Sequence, residues 1–148
     1  MNEPKTISEL MTLGMEECKK GNYNSAIIYL NKAIEIDPND CRFHISRGTI
    51  KEKENREEAI EDYTKAIEID PNNVFAYRLR ADSKCKLGDY LGAIDDYTKA
   101  IEIFPNKPNK AYLYNYRASA KRKSGDNQGA DEDDKKADQL KKLEKNYD

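Results

Sequence analysis

The 148-residue chain has no tryptophan, one histidine and three cysteines. With His44 as its only imidazole, it can build no multi-histidine metal site, and any histidine–carboxylate catalytic pair would have to use that one residue. Cys18, Cys41 and Cys85 are odd in number and show no CxxC spacing, which points to a reducing compartment and away from zinc. No run approaches the roughly 20 apolar residues that span a bilayer, and the first residues lack a signal peptide's apolar core. The expectation is a cytoplasmic protein without a membrane partner. Hydrophobic residues make up 37% of the chain, below the ~45–50% of an average domain, so a thick two-layered core is excluded. Charge of a single sign is missing too. The 26 basic residues nearly cancel the 28 acidic ones, for a net charge of -2. Disordered chains usually pair low hydrophobicity with a large net charge, and nucleic-acid binders are usually basic. The balance therefore favours a folded chain with no nucleic-acid partner.

What the chain does have is self-similarity. AIIYLNKAIEIDPN at 26–39, AIEDYTKAIEIDPN at 59–72 and AIDDYTKAIEIFPN at 93–106 follow one another at offsets of 33 and 34 residues. A degenerate fourth copy begins at Ala130. Periods of this length mark stacked supersecondary units. Ala26, Ile27, Leu30, Ala33 and Ile34 form one stripe of a helix. Pro38, Pro71 and Pro105 end it, because proline disfavours helix in the residue before it. A second helix precedes each copy. Thr6 with Glu9 and Asn55 with Glu58 have capping-box spacing. Gly21, Gly88 and Gly125 suit left-handed C-caps, with Asn22, Asp89 and Asp126 as N-caps after them. The pattern predicts A helices near 6–20, 40–54, 73–87 and 109–124, and B helices near 22–36, 56–69, 89–103 and 127–146, with no strand. Gly14, Gly48, Ala81 and Ala118 recur in the A helices where A and B must approach closely. Ala26, Ala59, Ala93 and Ala130 do the same in the B helices.

With this period, these paired small residues, aromatics such as Tyr90 and Tyr97 and the closing Pro-Asn, the sequence resembles the tetratricopeptide repeat family over about 7–140. It departs from the family's pattern at Glu17, where an aromatic is common, at His44 and Arg47, which replace a bulky pair, and at Asp131 and Asp134, where earlier copies carry Ile and Tyr. The resemblance implies an all-α, right-handed solenoid of about four helix-turn-helix units with eight helices. The expected domain is a single array over 1–148, with repeats near 7–40, 41–73, 74–107 and 111–144. The last helix, with Ala130, Ala137, Leu140, Leu143 and Tyr147 as its apolar stripe, reads as an extended cap.

The resemblance also implies a concave groove lined by A helices. The groove candidates are Met11 and Met15; Arg42, Ile45 and Thr49; Phe75, Arg78, Asp82 and Lys86; and Tyr112, Asn115, Ser119, Arg122 and Lys123. Methionine adapts to varied peptides, and exposed aromatics anchor partners, whereas Met11 and Met15 packed between helices would serve only the core. The family's carboxylate clamp for chaperone tails needs Lys, Asn and Arg at places that here hold Met11, Met15, Ser46, Phe75 and Leu79, so no clamp is expected. The A-helix spans 5–20, 40–54, 73–87 and 108–124 carry 0, +1, +3 and +5, while the B-helix spans 22–36, 56–69, 89–103 and 127–148 carry 0, -3, -3 and -2. That segregation suggests an acidic peptide partner for the groove. It also suits helix dipoles, with Lys19, Lys53, Lys86 and Lys123 near C-terminal ends.

His44 is expected to pack between helices, and the run 131–134 to be a solvated face with at most weak calcium affinity. Cys18 and Cys85 have no thiolate-activating neighbours in sequence. No nucleophile–base set, phosphate loop or metal cluster is present, so the expectation is a non-catalytic interaction module without cofactor. Self-assembly, by repeat stacking or by docking of the C-terminal helix, is the alternative.

Overall fold

The computed structural model describes residues 6–104 and 110–145. Pro105 and Tyr147, both used in reading the sequence, lie outside them. The described residues form eight helices and no strand: α1 (Ile7–Lys20), α2 (Tyr23–Ile36), α3 (Cys41–Lys51), α4 (Arg56–Ile69), α5 (Val74–Lys86), α6 (Tyr90–Ile103), α7 (Ala111–Ser124) and α8 (Asn127–Glu144). They pair as hairpins α1–α2, α3–α4, α5–α6 and α7–α8. The chain divides into two compact units of two hairpins each, Met1–Pro71 and Asn72–Asp148.

Most boundaries fall where the local chemistry puts them. Thr6 and Glu9 complete a capping box, with the Thr6 hydroxyl accepting from the Glu9 N–H and the Glu9 carboxylate from the Thr6 N–H. Gly21, Gly88 and Gly125 take φ of 81°, 84° and 96°, a backbone region costly for any residue with a Cβ. Asp89 and Asp126 accept from the backbone N–H groups of Gly92 and Gly129.

Three local expectations need correction. Asn22 does not cap α2, because its amide donates instead to the Glu17 carboxylate, 2.8 Å away. The Asn55 side chain accepts from the Glu58 N–H and donates to its carboxylate, so the return bond to the cap backbone is replaced by one between side chains. Helix α3 ends at Lys51 rather than near 54. The second repeat is one residue short and has no glycine at this connection, and the N–H groups of Glu54 and Asn55 both turn back to the Lys51 carbonyl.

The cores are thin, as alanine-rich stripes require. Ala26, Ala33, Ala59, Ala66, Ala81, Ala93, Ala100, Ala118, Ala130 and Ala137 have no exposed surface. In the first unit, Leu10, Ala33 and Phe43 form one buried cluster, and Ala26, Leu30 and Ile50 another. In the second, Ala81, Ala93, Tyr97 and Ala120 join α5, α6 and α7. Fully burying a Leu or Phe side chain is worth about 1.5–3 kcal/mol, so a few such residues per seam carry much of the apolar stabilisation. Helices α3 and α4 approach closely at Gly48, where a Cβ would lie 2.8 Å from the Tyr63 ring and 3.1 Å from Asp62 Cβ.

Candidate peptide-binding surface

In the first unit, Ile7, Met11 and Met15 follow at spacings of four along α1 and therefore share a face. Met11 is half-buried against both clusters of this unit, whereas Met15 is 58% exposed. The two methionines thus divide between the packing and the surface roles. Beside them Ser8, Thr12 and Arg42 complete an open cavity of about 570 Å³. Asp40 sets the position of Arg42. It caps α3 by accepting the Arg42 N–H at 3.0 Å, and its two oxygens take the guanidinium Nε and Nη2. Arg42 holds the Asp40 carboxyl below the usual carboxylate range, and burial opposes that shift only partly. The outer nitrogen of the fork, Nη1, is not used in this pair. Along the same helix Ile45 is half-buried, and Thr49 is exposed with its hydroxyl turned back to the Ile45 carbonyl.

In the second unit the aromatic candidates sit in a connected set. Phe75 is exposed, with the Arg78 guanidinium 4.9 Å above its ring. Arg78 donates to Asp82 at 2.8 Å, and the other Asp82 oxygen accepts from the Tyr97 hydroxyl at 2.5 Å. Burial, then the Asp82 carboxylate, push the Tyr97 phenol far above its ordinary value, so it stays a donor. The Tyr97 ring stacks on Tyr116 at 6.0 Å, and Tyr116 meets Tyr112 edge-on at 5.9 Å. Tyr116 was not among the sequence candidates, although its spacing of four from Tyr112 on α7 signals the shared face. Asn115 is half-buried; Ser119 and Lys86 are exposed. Arg122 is drawn away to Asp131 and Asp134 of α8, at 3.1 and 2.7 Å, and Lys123 lies 5.8 Å from the Tyr90 ring.

The segregation of charge has an internal explanation that sequence reasoning missed. Asp62, Asp96 and Asp133 are each 4% exposed. Each occupies the same place in its B helix and is gripped by two cations one turn apart on the A helix of its own hairpin. Arg47 and Lys51 hold Asp62 at 2.6 and 3.6 Å. Arg80 and Lys84 hold Asp96 at 2.7 and 2.8 Å. Arg117 and Lys121 hold Asp133 at 2.7 and 3.0 Å. These are forked, charge-assisted contacts. Six A-helix cations therefore turn toward B helices. The run 131–134 is likewise not one solvated face, since Asp133 is buried. A signal was present: a residue three places after a buried alanine lies on the buried stripe, so a carboxylate there requires a cation.

His44 is buried against the first of these sites, with Nδ1 3.9 Å from Asp62. Burial, then Arg47, lower its pKa. Burial also raises the thiol pKa of Cys18 and of Cys85, which keeps both in the unreactive protonated form at neutral pH. Among the described residues no group of three or more His, Cys, Asp or Glu side chains is arranged to hold a metal ion, and no helix is long and apolar enough to cross a membrane.

Tetratricopeptide repeat models match residues 8–40, 51–73 and 63–95. The chain belongs to the tetratricopeptide repeat family. Its repeats are those of a protein-interaction or scaffold module. Among solved structures it is similar in fold to "Crystal structure of MamA", with TM-score 0.86 and 24% identity over 98% of this chain and 84% of that one. A second, "MamA MSR-1 C2", gives 0.78 and 20% over 95% and 79%. MamA 41-end from Desulfovibrio magneticus RS-1 gives 0.80 and 17% over 93% and 77%. No curated protein matches the chain.

Proposed function

We propose that this repeat protein is a non-catalytic module that holds a partner's peptide segment against α1 and α3 of its first unit. The observation that carries the reading is the open cavity walled by Ile7, Met11 and Met15 with Arg42 at its rim. An exposed methionine is a poor surface residue and an adaptable contact for apolar side chains. The unused Nη1 of Arg42 supplies one directional donor for a carbonyl or carboxylate. The segment that fits is apolar with one acidic residue. It is not strongly polyanionic, because Arg42, Arg78 and Arg122 already have carboxylate partners and Asp62, Asp96 and Asp133 occupy six further cations.

An array of 12-residue peptides, read by fluorescence anisotropy, tests this. Binders are expected to share an apolar residue near one Asp or Glu. Met15→Glu and Arg42→Glu are each expected to weaken them at least tenfold, a change of about 1.4 kcal/mol, without altering the helical circular dichroism. Binders that ignore both substitutions would refute the site.

A further inference from the structure

One hairpin tip differs from the other three. At the bend between α5 and α6, Leu87 closes α5 and Leu91 stands in the first turn of α6. Leu91 is 71% exposed, more than any other large hydrophobic side chain among the described residues, and Leu87 is 44% exposed. The same places in the other hairpins hold Lys20 and Asn24, Glu54 and Glu57, and Ser124 and Gln128, all polar and all exposed. The repeat pattern supplies polar residues at this point, so it does not account for a pair of leucines. Gly88 makes the bend between them with φ 84°, and a Cβ on it would meet nothing within 4 Å. The bend therefore stands clear of neighbouring side chains.

The flanks of this bend are basic. Lys86 precedes Leu87 and is exposed. The Lys123 ammonium lies 5.8 Å from the centre of the Tyr90 ring, next in sequence to Leu91, so the last turn of α7 reaches the same edge of the unit. Lys84 and Lys121 turn inward to Asp96 and Asp133, whereas Lys123 is exposed. The acids of the two bends, Asp89 and Asp126, each accept a backbone N–H at a helix N-terminus, where the helix dipole offsets part of their charge. The first unit has the same lysine–tyrosine contact, with Lys53 Nζ 4.3 Å from the Tyr23 ring, but Lys20 and Asn24 stand where the leucines would be.

We propose that the α5–α6 tip is a membrane-surface contact, at which Leu87 and Leu91 enter the interfacial layer of an anionic bilayer while Lys86 and Lys123 meet its headgroups. Immersing a leucine removes its apolar surface from water. A lysine near an anionic leaflet adds an attraction that salt weakens. A bilayer suits this shape better than a folded partner does. Two leucines on a projecting bend cover far less than the roughly 800 Å² per partner of a stable protein interface, and a lipid layer takes up a protrusion without a complementary surface. So short an insertion gives weak, reversible binding. The lack of a spanning apolar run does not bear on it, because lying on a membrane requires no span. The proposal is independent of the peptide site, which lies on α1 and α3 of the other unit.

The chain has no tryptophan of its own, which makes the test direct. In the full chain, Leu91→Trp places a single fluorescent reporter at this tip, and Asn24→Trp places one at the matching tip of the first unit; circular dichroism checks that both fold. The probe is vesicles of phosphatidylcholine and phosphatidylglycerol in equal parts, at low salt. The Leu91→Trp emission is expected to shift to the blue and to be quenched by lipids brominated on their acyl chains, and to lose both responses as salt is raised. The Asn24→Trp emission is expected to stay unchanged. Without a reporter, Leu87→Lys with Leu91→Asn, the residues of the first tip, should lower the fraction sedimenting with vesicles by about tenfold. A Leu91→Trp reporter that stays in water at saturating lipid, two reporters that respond alike, or a double variant that sediments as the wild type does would overturn the proposal. A blue shift that appears without vesicles and grows with protein concentration would assign the tip to a second copy and overturn it too.

Discussion

Removing the carboxylate of Asp133 should unfold the second unit more easily than removing any exposed charge. Its side chain is 6% exposed, and the cations that hold it, Arg117 and Lys121, are 15% and 17% exposed. Arg117 Nε and Nη2 donate to the two oxygens at 2.8 and 2.7 Å. Breaking a buried pair by deleting one partner costs about 3–5 kcal/mol, because the surviving charge stays buried and uncompensated. Both cations have long side chains that can turn partly to water, so the lower end applies to Asp133→Ala, about 3 kcal/mol. For a chain of this size each kcal/mol moves Tm by about 2–4 °C, which makes the expected loss roughly 6–12 °C. The control is the apolar triple replacement Arg117→Met, Lys121→Met, Asp133→Leu. It removes all three charges together and should restore most of the loss. Urea unfolding and thermal melts of wild type, single and triple variants decide the matter. A loss below about 1 kcal/mol for Asp133→Ala would place the site among surface ion pairs, and a triple variant as unstable as the single would show that the uncompensated charge is not the cause. Acid titration gives an independent reading. Burial raises the Asp133 pKa, but Arg117 and Lys121 together outweigh it and leave the value lowered from 3.8. The stabilisation is therefore present above that ordinary value and lost as pH falls through the lower folded one. Asp133→Asn should flatten the acid limb there.

Other expectations follow from single positions. Gly48→Ala places a methyl 2.8 Å from the Tyr63 ring and should cost about 1–3 kcal/mol by overpacking, whereas Gly14→Ala meets only ordinary contacts at 3.7 Å and should gain about 0.5–1 kcal/mol from helix propensity; urea midpoints check both. His44 has its pKa lowered from 6.5, so the unfolded chain takes up its proton first as pH falls. Stability is full above that ordinary value and declines below it. His44→Leu, the residue found at the equivalent Leu10, should remove that slope between melts at pH 7.5 and 5.5, and an unchanged slope would assign it to carboxylates instead.

Periodicity made the hairpins legible because alanine placement, proline stops and glycine C-caps act within one helix or one turn. The boundaries of α1, α2, α4 and α6 follow from such local rules. Helix α3 departs from them because its end depends on a shortened connection without glycine. The surface was less legible. Met11 and Met15 share a helix face by spacing, but only packing against Phe43 and Leu30 separates the half-buried one from the exposed one. The charge pattern misled most. Counting signs per helix places Arg47, Arg80 and Arg117 on a basic wall, while long flexible side chains can turn to either neighbour. Asp62, Asp96 and Asp133 determine which way they turn, and those partners lie 15 or 16 residues away.

That separation matters for how such a protein changes over generations. The near-identical segments at 59–72 and 93–106 invite unequal recombination, which would add or delete 34 residues at a time. Because the two segments carry Asp62 and Asp96 at the same place, an in-register exchange leaves every arginine with an aspartate at the same spacing. Array length can then vary by inheritance inside the chain without orphaning a buried charge, while the two end hairpins are copied unchanged.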